Sequence, residues 1–145
     1  MDSKSTEELR HEIKAASDIE DYLQSNKDSL NICTLPEYLN IMLSQKGITK
    51  ADVVRDSLMT RSYVYQIFSG EKTPFRDNLI AIAFGLHLSE DETQKMLKIS
   101  KNRELYARDG RDAIILFALQ RNQSVYEVND LLFDHGFKVL GAMEK

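Results

Sequence analysis

The segment from Thr49 to Leu86 constrains the fold more than any other part of this chain. Its pattern predicts two short helices with apolar faces, joined by a short turn around Leu58, and Gly70 ends the second helix. Pro74 then breaks continuity before a further helix. The apolar stripe of that helix consists of Leu79, Ile82, Ala83 and Leu86. This spacing suits a helix-turn-helix, whose second helix can be presented to the major groove of DNA.

The composition is typical of one globular domain with extensions. Apolar residues make up 42% of the 145 residues and charged residues 29%, so the chain can bury a core and does not have the composition of a disordered protein. Gly (six) and Pro (two) are scarce, helix formers dominate, and short β-branched runs bounded by turns are nearly absent. The sequence therefore predicts an all-α protein.

The residues that carry chemistry do not form the pattern of a metal, cofactor or catalytic site. Cys33 is the single cysteine, and no Cys/His cluster has zinc-ligand spacing. His11, His87 and His135 lie far apart in the sequence, with no nucleophile or carboxylate at a telling distance. The sequence also has no Gly-rich phosphate-binding loop. We therefore expect a protein that is not an enzyme and that binds no metal or cofactor.

The N-terminus and the hydropathy pattern indicate where the protein acts. The N-terminus lacks an apolar signal region, and no stretch approaches the length of a membrane span. We therefore expect a cytoplasmic protein with no membrane partner.

The charges are unevenly distributed. Residues 1–35 hold four basic and eight acidic side chains, which accounts for the whole net charge of −4. Between Lys46 and Arg76, six cations stand against the three anions Asp52, Asp56 and Glu71. The predicted helix-turn-helix is therefore locally basic inside an acidic protein, which permits nucleic-acid binding without demanding it.

Residues 1–33 predict an acidic N-terminal helical arm. Ser5 and Glu8 have the spacing of a capping box, and a helical apolar stripe follows. That stripe consists of Leu9, Ile13 and Ala16. Ile19 and Leu23 continue this helix or begin a second one, and Asn26 to Asn31 reads as a linker. The arm is either a solvated helix that packs on the main domain or a surface for dimerisation or partner binding.

Residues 34–99 predict a unit of five helices. Three capping boxes mark helix starts, at Thr34, Thr49 and Ser89, each with an acidic residue three positions later. Gly47 ends the first of these helices, and Gly70 ends the third, which runs from about Arg61 to Phe68. The core-facing residues of that third helix are expected to be Val64, Ile67 and Phe68.

Residues 100–145 predict a polar linker followed by a helical hairpin on the same core. The first helix runs from about Arg111 to Gln120, and its apolar stripe is expected to be Ile114, Phe117 and Ala118. The second helix starts at Ser124 with a capping box to Glu127 and stops at Gly136. Phe137 and Leu140 are expected to fold back and close the hairpin, which packs or dimerises.

Residues 36–99 resemble the Xre/Cro/C1-type (lambda-repressor-like) helix-turn-helix domain of bacterial and phage regulators. The resemblance rests on the Thr-Lys-Ala-Asp opening at Thr49, the Val-Tyr-Gln-Ile-Phe-Ser-Gly-Glu-Lys-Thr-Pro passage ending at Pro74, and the Leu-Ile-Ala-Ile-Ala-Phe-Gly-Leu helix that follows. It implies a transcriptional regulator that binds double-stranded DNA as a homodimer. Two positions depart from the family pattern, Val54 where a small residue is usual and Leu58 where Gly is usual.

The resemblance and side-chain chemistry together assign candidate DNA contacts. Base contacts are expected from Arg61, Ser62, Tyr65 and Gln66. Backbone contacts are expected from Lys50, Thr60, Tyr63, Lys72 and Arg76. A guanidinium can bond both acceptors of guanine, and a carboxamide can pair with the edge of adenine. The other side chains are cations or hydroxyl donors, which suit phosphate oxygens.

Each of these residues also has a structural interpretation. Arg61 can form a surface ion pair with Asp56 or Asp52, Tyr65 can lie flat against the next helix, and Gln66 can be solvated surface. At the level of the whole protein, the alternative is a protein–protein adaptor on the same scaffold with weak or no DNA binding. A further hypothesis is that the acidic arm covers the basic face and inhibits DNA binding.

Overall fold

The structure, a computed structural model, describes residues 4–26 and 33–141. These residues form nine helices and no strand, so the prediction of an all-α protein is confirmed. The helices are α1 Thr6–Ala15, α2 Ile19–Ser25, α3 Leu35–Lys46, α4 Lys50–Ser57, α5 Arg61–Ser69, α6 Arg76–Gly85, α7 Glu90–Ile99, α8 Gly110–Gln120 and α9 Val125–Asp134. Most of the predicted linker after Asn26 lies outside the described residues.

The chain divides into two compact units, Met1–Cys33 and Thr34–Lys145. In the first unit, α1 begins at the predicted capping box, in which the Ser5 hydroxyl accepts from the Glu8 backbone N–H at 3.1 Å. Ala16 has extended backbone and ends α1, so α2 is a separate helix rather than a continuation. The apolar side chain of Ile13 is 53% exposed.

In the second unit, local side-chain caps set the helix starts. All four capping boxes expected there, at Thr34, Thr49, Ser89 and Ser124, are present with both reciprocal hydrogen bonds. Each box satisfies two backbone N–H groups that a helix start leaves unpaired. The predicted starts of α3, α4, α7 and α9 are therefore confirmed.

The core of the second unit is built around α6. Every residue from Asn78 to Gly85 is buried, and α6 contacts α4, α7 and α9. Gly85 allows the closest approach, because a Cβ there would lie 3.0 Å from the Val53 carbonyl oxygen and 3.1 Å from the Ser57 Cβ. Val53 is fully buried in this contact, whereas Val54 is half-buried. The backbone of α4 therefore lies directly on α6.

The turn between α4 and α5 contains a strained residue. Leu58 has φ 64° and ψ 23°, in the left-handed region that favours glycine. Met59 in the same turn is 6% exposed, so burial of the turn helps to hold this conformation.

The inward face of α8 differs from the predicted one. The buried residues are Asp112, Ile115, Leu116, Ala118 and Leu119, whereas Phe117 is 41% exposed and Ile114 is half-buried. The predicted stripe is therefore wrong for Phe117 and correct for Ala118. The physical reason is that residues 113–119 are all apolar. The pattern therefore does not indicate which side of the helix faces the core.

The chain after α9 folds back as expected. The Phe137 backbone N–H donates to the Leu132 carbonyl at 2.8 Å. The Leu140 backbone makes two hydrogen bonds with the Asn129 side chain, at 2.8 and 2.9 Å, and the Leu140 side chain is 1% exposed. Leu140 therefore closes the core beside α9.

A buried carboxylate orders the segment between α7 and α8. Asp112, 1% exposed, accepts from Arg76 Nη2 at 2.9 Å, from Arg103 Nη1 at 3.2 Å and from the Tyr106 backbone N–H at 3.0 Å. The same segment is also held by two reciprocal hydrogen bonds between the Gln94 side chain and the Leu105 backbone, at 2.9 and 2.8 Å. The segment predicted as a polar linker is thus tied to both α6 and α8.

Candidate nucleic-acid interface

The start of α5 fixes which of its residues face outward. Thr60 is the N-cap, and its hydroxyl accepts from the Tyr63 backbone N–H at 3.2 Å. Val64, Ile67 and Phe68 are buried, as predicted, and turn that face of α5 toward the core. The outward face therefore begins with the predicted base-contact residues, of which Arg61, Ser62 and Tyr65 are exposed and Gln66 is half-buried.

Two cations gather around one exposed aromatic ring on this face. Arg61 Nη1 donates to the Tyr65 hydroxyl at 3.1 Å, and its guanidinium carbon lies 5.4 Å from the ring centroid. Lys50 Nζ, from the start of α4, lies 5.2 Å from the Tyr65 centroid and 5.9 Å from that of Phe68. We call Lys50, Arg61 and Tyr65 the cation–aromatic cluster. At these distances each cation is attracted by the electron-rich ring face.

The geometry of the cluster excludes two of the structural interpretations given above, those for Tyr65 and Arg61. Tyr65 is 38% exposed and does not lie buried against α6. Arg61 does not pair with Asp52 or Asp56, because Arg55 contacts both carboxylates, at 3.1 Å and 2.9 Å respectively. Among the described residues, the guanidinium of Arg61 is held by a neutral hydroxyl and a ring, contacts that an anion can replace.

The carboxylates of α4 are held charged and paired with Arg55. Hydrogen bonds from Arg55 lower the pKa of Asp56 below its ordinary value, against an opposing effect of burial. For Asp52, the hydrogen bond from the Thr49 backbone N–H is the main cause of a lowered pKa. Both groups are ionised at neutral pH, and Arg55 offsets part of their charge near the cluster.

The six cations between Lys46 and Arg76 fall into two sets of three. Three form ion pairs within the fold: Lys46 with Glu92 at 2.8 Å, Arg55 with Asp56, and Arg76 with Asp112. The other three, Lys50, Arg61 and Lys72, make no ion pair with any carboxylate in the part of the chain that the structure describes. The positive charge left for an external anion therefore resides on these three side chains.

Arg76, predicted to contact DNA phosphate, has a structural role. Its side chain is 16% exposed and holds both oxygens of Asp112, at 2.9 and 3.3 Å. It also donates to the carbonyls of Arg103, at 2.7 Å, and Glu104, at 3.1 Å. A phosphate contact would break this network, and the phosphate contact expected of Arg76 stays a prediction that these hydrogen bonds disfavour.

Tyr63 and Thr60 also have partners within the fold. The Tyr63 hydroxyl accepts from Asn78 Nδ2 at 3.2 Å, which ties α5 to α6. The Thr60 hydroxyl is engaged as the α5 cap. Lys72 is exposed, and its backbone N–H donates to the Gln66 carbonyl at 3.1 Å, so the main chain just after α5 is fixed.

Sequence reasoning missed an exposed aromatic residue directly before α6. Phe75 precedes α6 as its N-cap and is 75% exposed, with no side-chain capping bond. A residue at an N-cap position is usually Ser, Thr, Asp or Asn. The signal in the sequence was an apolar residue directly after Pro74, at a position where a capping side chain is usual.

Two other features, a metal site and a membrane span, were sought in the described residues. Among them, no group of three or more His, Cys, Asp or Glu side chains is arranged to hold a metal ion. None of the helices described by the structure is long and apolar enough to cross a membrane.

No protein-family model, curated protein or solved structure matches this chain. Its function is therefore inferred from its own residues and their geometry.

Proposed function

We propose that this protein is a sequence-specific transcriptional regulator that binds double-stranded DNA. The proposal assigns helices α3 to α7 to an Xre-type, lambda-repressor-like helix-turn-helix domain, with α5 in the major groove. The observation that carries it is the cation–aromatic cluster on the exposed face of α5. Arg61 and Lys50 form no ion pair there with a carboxylate of the described residues, and they lie next to a tyrosine whose hydroxyl can donate to phosphate and whose ring can stack on sugar.

The side chains divide into base and backbone roles. Arg61 exchanges its weak bond to a neutral hydroxyl for a bidentate bond to guanine, and Gln66 pairs with adenine. Ser62 and Tyr65 complete the base-contacting face. Lys50 and Lys72 hold phosphates, together with hydroxyls of Thr60 and Tyr63 where geometry allows, and Arg76 is left in its network with Asp112.

A single α5 spans too few base pairs for a specific site, so the proposal includes a homodimer. A two-fold dimer places two recognition helices on half-sites one helical turn, about 34 Å, apart. The DNA site is then expected to be roughly palindromic.

The first experiment is selection of genomic fragments by the purified full chain at physiological salt, followed by sequencing of the retained DNA. A shared, roughly palindromic motif supports the proposal and identifies the site. Retention of no sequence above background contradicts it.

Variants test the assigned roles on the selected site. Arg61→Ala is expected to relax preference at one base pair, a loss of about 1–3 kcal/mol of discrimination. Lys72→Ala is expected to weaken binding to all sequences alike. Arg108→Ala is the matched control, because Arg108 is an exposed arginine in the segment before α8. Unchanged affinity for both Arg61→Ala and Lys72→Ala contradicts groove docking.

A protein–protein adaptor is the second candidate, and a specific feature of α8 and α9 favours it. The side chain of Phe117 is 41% exposed there and lines an apolar groove between the two helices, and Phe133 on α9 is 75% exposed. The two functions differ in salt response. With two phosphate-binding lysines per protomer, Lys50 and Lys72, a DNA-bound dimer is expected to lose roughly a hundredfold in affinity between about 50 and 200 mM salt, whereas an apolar contact is not.

A further inference from the structure

Helix α8 is apolar on all sides, but only half of it is buried within this chain. Residues 113–119 contain no polar side chain. Ile115, Leu116 and Leu119 face the core, while Phe117 is 41% exposed and Ile114 is half-buried on the opposite side. A helix with apolar residues all round is normally enclosed on all sides. The outward half of α8 therefore has the composition of a covered surface.

The outward half of α8 forms one wall of an apolar groove. The lining residues are Ala113, Ile114 and Phe117 from α8 and Leu131 and His135 from α9. The groove has a volume of about 260 Å³. A cavity of roughly 150 Å³ is enough for a benzene molecule. The groove is thus large enough for one phenyl ring of a partner, and Phe117 at its edge is itself such a ring.

Opposite charges lie at the two ends of the α8–α9 hairpin. Arg121 follows the last residue of α8; its guanidinium lies 3.7 Å from the Phe117 ring centroid, and Nη1 donates to the Phe117 carbonyl at 3.3 Å. Asp134 is the last residue of α9 and is exposed. Because α8 and α9 pack as a hairpin with a short connection, they run antiparallel, and these two charges are at opposite ends.

We propose that this groove is the contact between two copies of the chain. A two-fold axis near Phe117 sets the two α8 helices antiparallel, so that Phe117 of each copy enters the groove of the other. The same operation brings Arg121 of each copy to Asp134 of the other. The ring and its receiving groove lie on one face, and the two charges lie at opposite ends of the hairpin, which is the self-complementarity that a two-fold interface requires. An unrelated partner protein would need no such pairing. This inference stands without the proposed DNA binding.

The association state of the full chain tests the proposal directly. Sedimentation equilibrium across micromolar concentrations is expected to show a dimer for the native chain. Phe117→Glu is expected to raise the dimer dissociation constant at least a hundredfold, because a charge is driven into an apolar groove. Phe75→Glu is the matched control, since Phe75 is more exposed and lies before α6, and it is expected to leave the dimer intact. Helical circular dichroism and thermal melting verify that both variants fold.

A charge exchange distinguishes a two-fold pairing from any other use of the groove. Arg121→Glu and Asp134→Arg each place like charges together in a homodimer, and each is expected to weaken association about tenfold or more. Mixing these two variants creates two favourable pairs in the mixed dimer, so mixing is expected to restore association. A monomeric native chain, a dimer that survives Phe117→Glu, or two weakened variants that do not recover on mixing would each overturn the proposal.

Discussion

The outward faces of α5 and α8 carry aromatic side chains of almost equal exposure in different surroundings. Tyr65 on α5 is 38% exposed and Phe117 on α8 is 41% exposed. Tyr65 is flanked by Lys50 and Arg61, and its hydroxyl accepts a hydrogen bond from Arg61 at 3.1 Å. Phe117 lies beside an apolar groove, with one cation, Arg121, over its ring.

This difference shows that exposure of an aromatic ring does not by itself define a partner. Around Tyr65 the neighbouring groups are charged and remain hydrated, so the surface suits an anionic, hydrated ligand such as a phosphate backbone. The groove beside Phe117 is lined mainly by apolar side chains, which lose few hydrogen bonds to water when a partner covers them. This surface therefore suits another apolar surface. The neighbours, rather than the ring, separate a candidate nucleic-acid face from a candidate protein face.

Both faces rest on one core, so a substitution that destabilises this core is expected to impair both faces alike. Asp112 is the residue that tests this. Asp112→Ala leaves Arg76, largely buried, without its carboxylate and removes a hydrogen bond to the Tyr106 backbone. Removal of one partner from a buried ion pair costs about 3 kcal/mol or more. Urea unfolding is expected to show this loss, and DNA binding and dimerisation are expected to fall together. Asp130→Ala, at an exposed position on α9, is the control. A loss below about 1 kcal/mol would mean that Asp112 is not a structural anchor.

The two faces are expected to separate in a crossed experiment. Arg61→Ala is expected to reduce DNA affinity by about tenfold to a hundredfold and to leave the dimer dissociation constant unchanged. Phe117→Glu is expected to abolish the dimer and, since a dimer occupies two half-sites, also to weaken DNA binding. DNA titrations and sedimentation of the same samples measure both. If Arg61→Ala also changes dimerisation, the two faces are coupled and the comparison fails.

Substitution of two glycines compares the packing beneath the two faces. Gly85 lies against α4, which leads into α5, and Gly110 begins α8. Gly85→Ala puts a methyl group 3.0 Å from a backbone oxygen of α4, which cannot move aside, so we expect a destabilisation of about 1–3 kcal/mol. Gly110→Ala on α8 meets only the Phe137 ring, at 3.1 Å. That ring belongs to a side chain 38% exposed, and alanine favours the helix. We therefore expect Gly110→Ala to be neutral or slightly stabilising. Equal losses in urea unfolding would contradict this contrast.

Local signals in the sequence predicted the helix starts at the capping boxes, and the contact between Arg61 and Tyr65 also has a local origin. A capping box depends on residues three positions apart, so it is readable without tertiary information. Arg61 and Tyr65 meet because they are one helical turn apart, which the sequence also contains. The approach of Lys50 to the same ring crosses the α4–α5 turn and depends on tertiary packing.

Two features were beyond local reasoning, each for a physical reason. The phase of α8 was ambiguous because an uninterrupted apolar run fits any inward face, so Phe117 was assigned to the wrong side. The role of Arg76 depends on Asp112, 36 residues further along the chain. A cation next to Pro74 and Phe75 has no local feature that separates a phosphate contact from a buried ion pair. Only the packing of α6 against the segment before α8 separates them.

The smallest expected effect concerns pH and the carboxylates beside α5. The pKa of Asp56 is lowered chiefly by hydrogen bonds from Arg55. A lowered folded-state pKa gives stability that is fully present above the unfolded value near 4 and is lost as pH falls through the folded pKa. Asp56→Asn is therefore expected to lower Tm by a few degrees at most at pH 7, because the Arg55 side chain is 66% exposed and solvent screens the pair.

The same variant is expected to match the native chain once the pH falls well below 4, where Asp56 is protonated in both states. Thermal melts of the native chain, Asp56→Asn and the control Asp130→Asn between about pH 3 and 7 measure this convergence. A difference in Tm that persists unchanged at the lowest pH would mean that Asp56 acts through packing or hydrogen bonding rather than through its charge. In that case the α4–α5 face would owe less to electrostatics, and its contrast with the apolar face of α8 would be smaller than the geometry indicates.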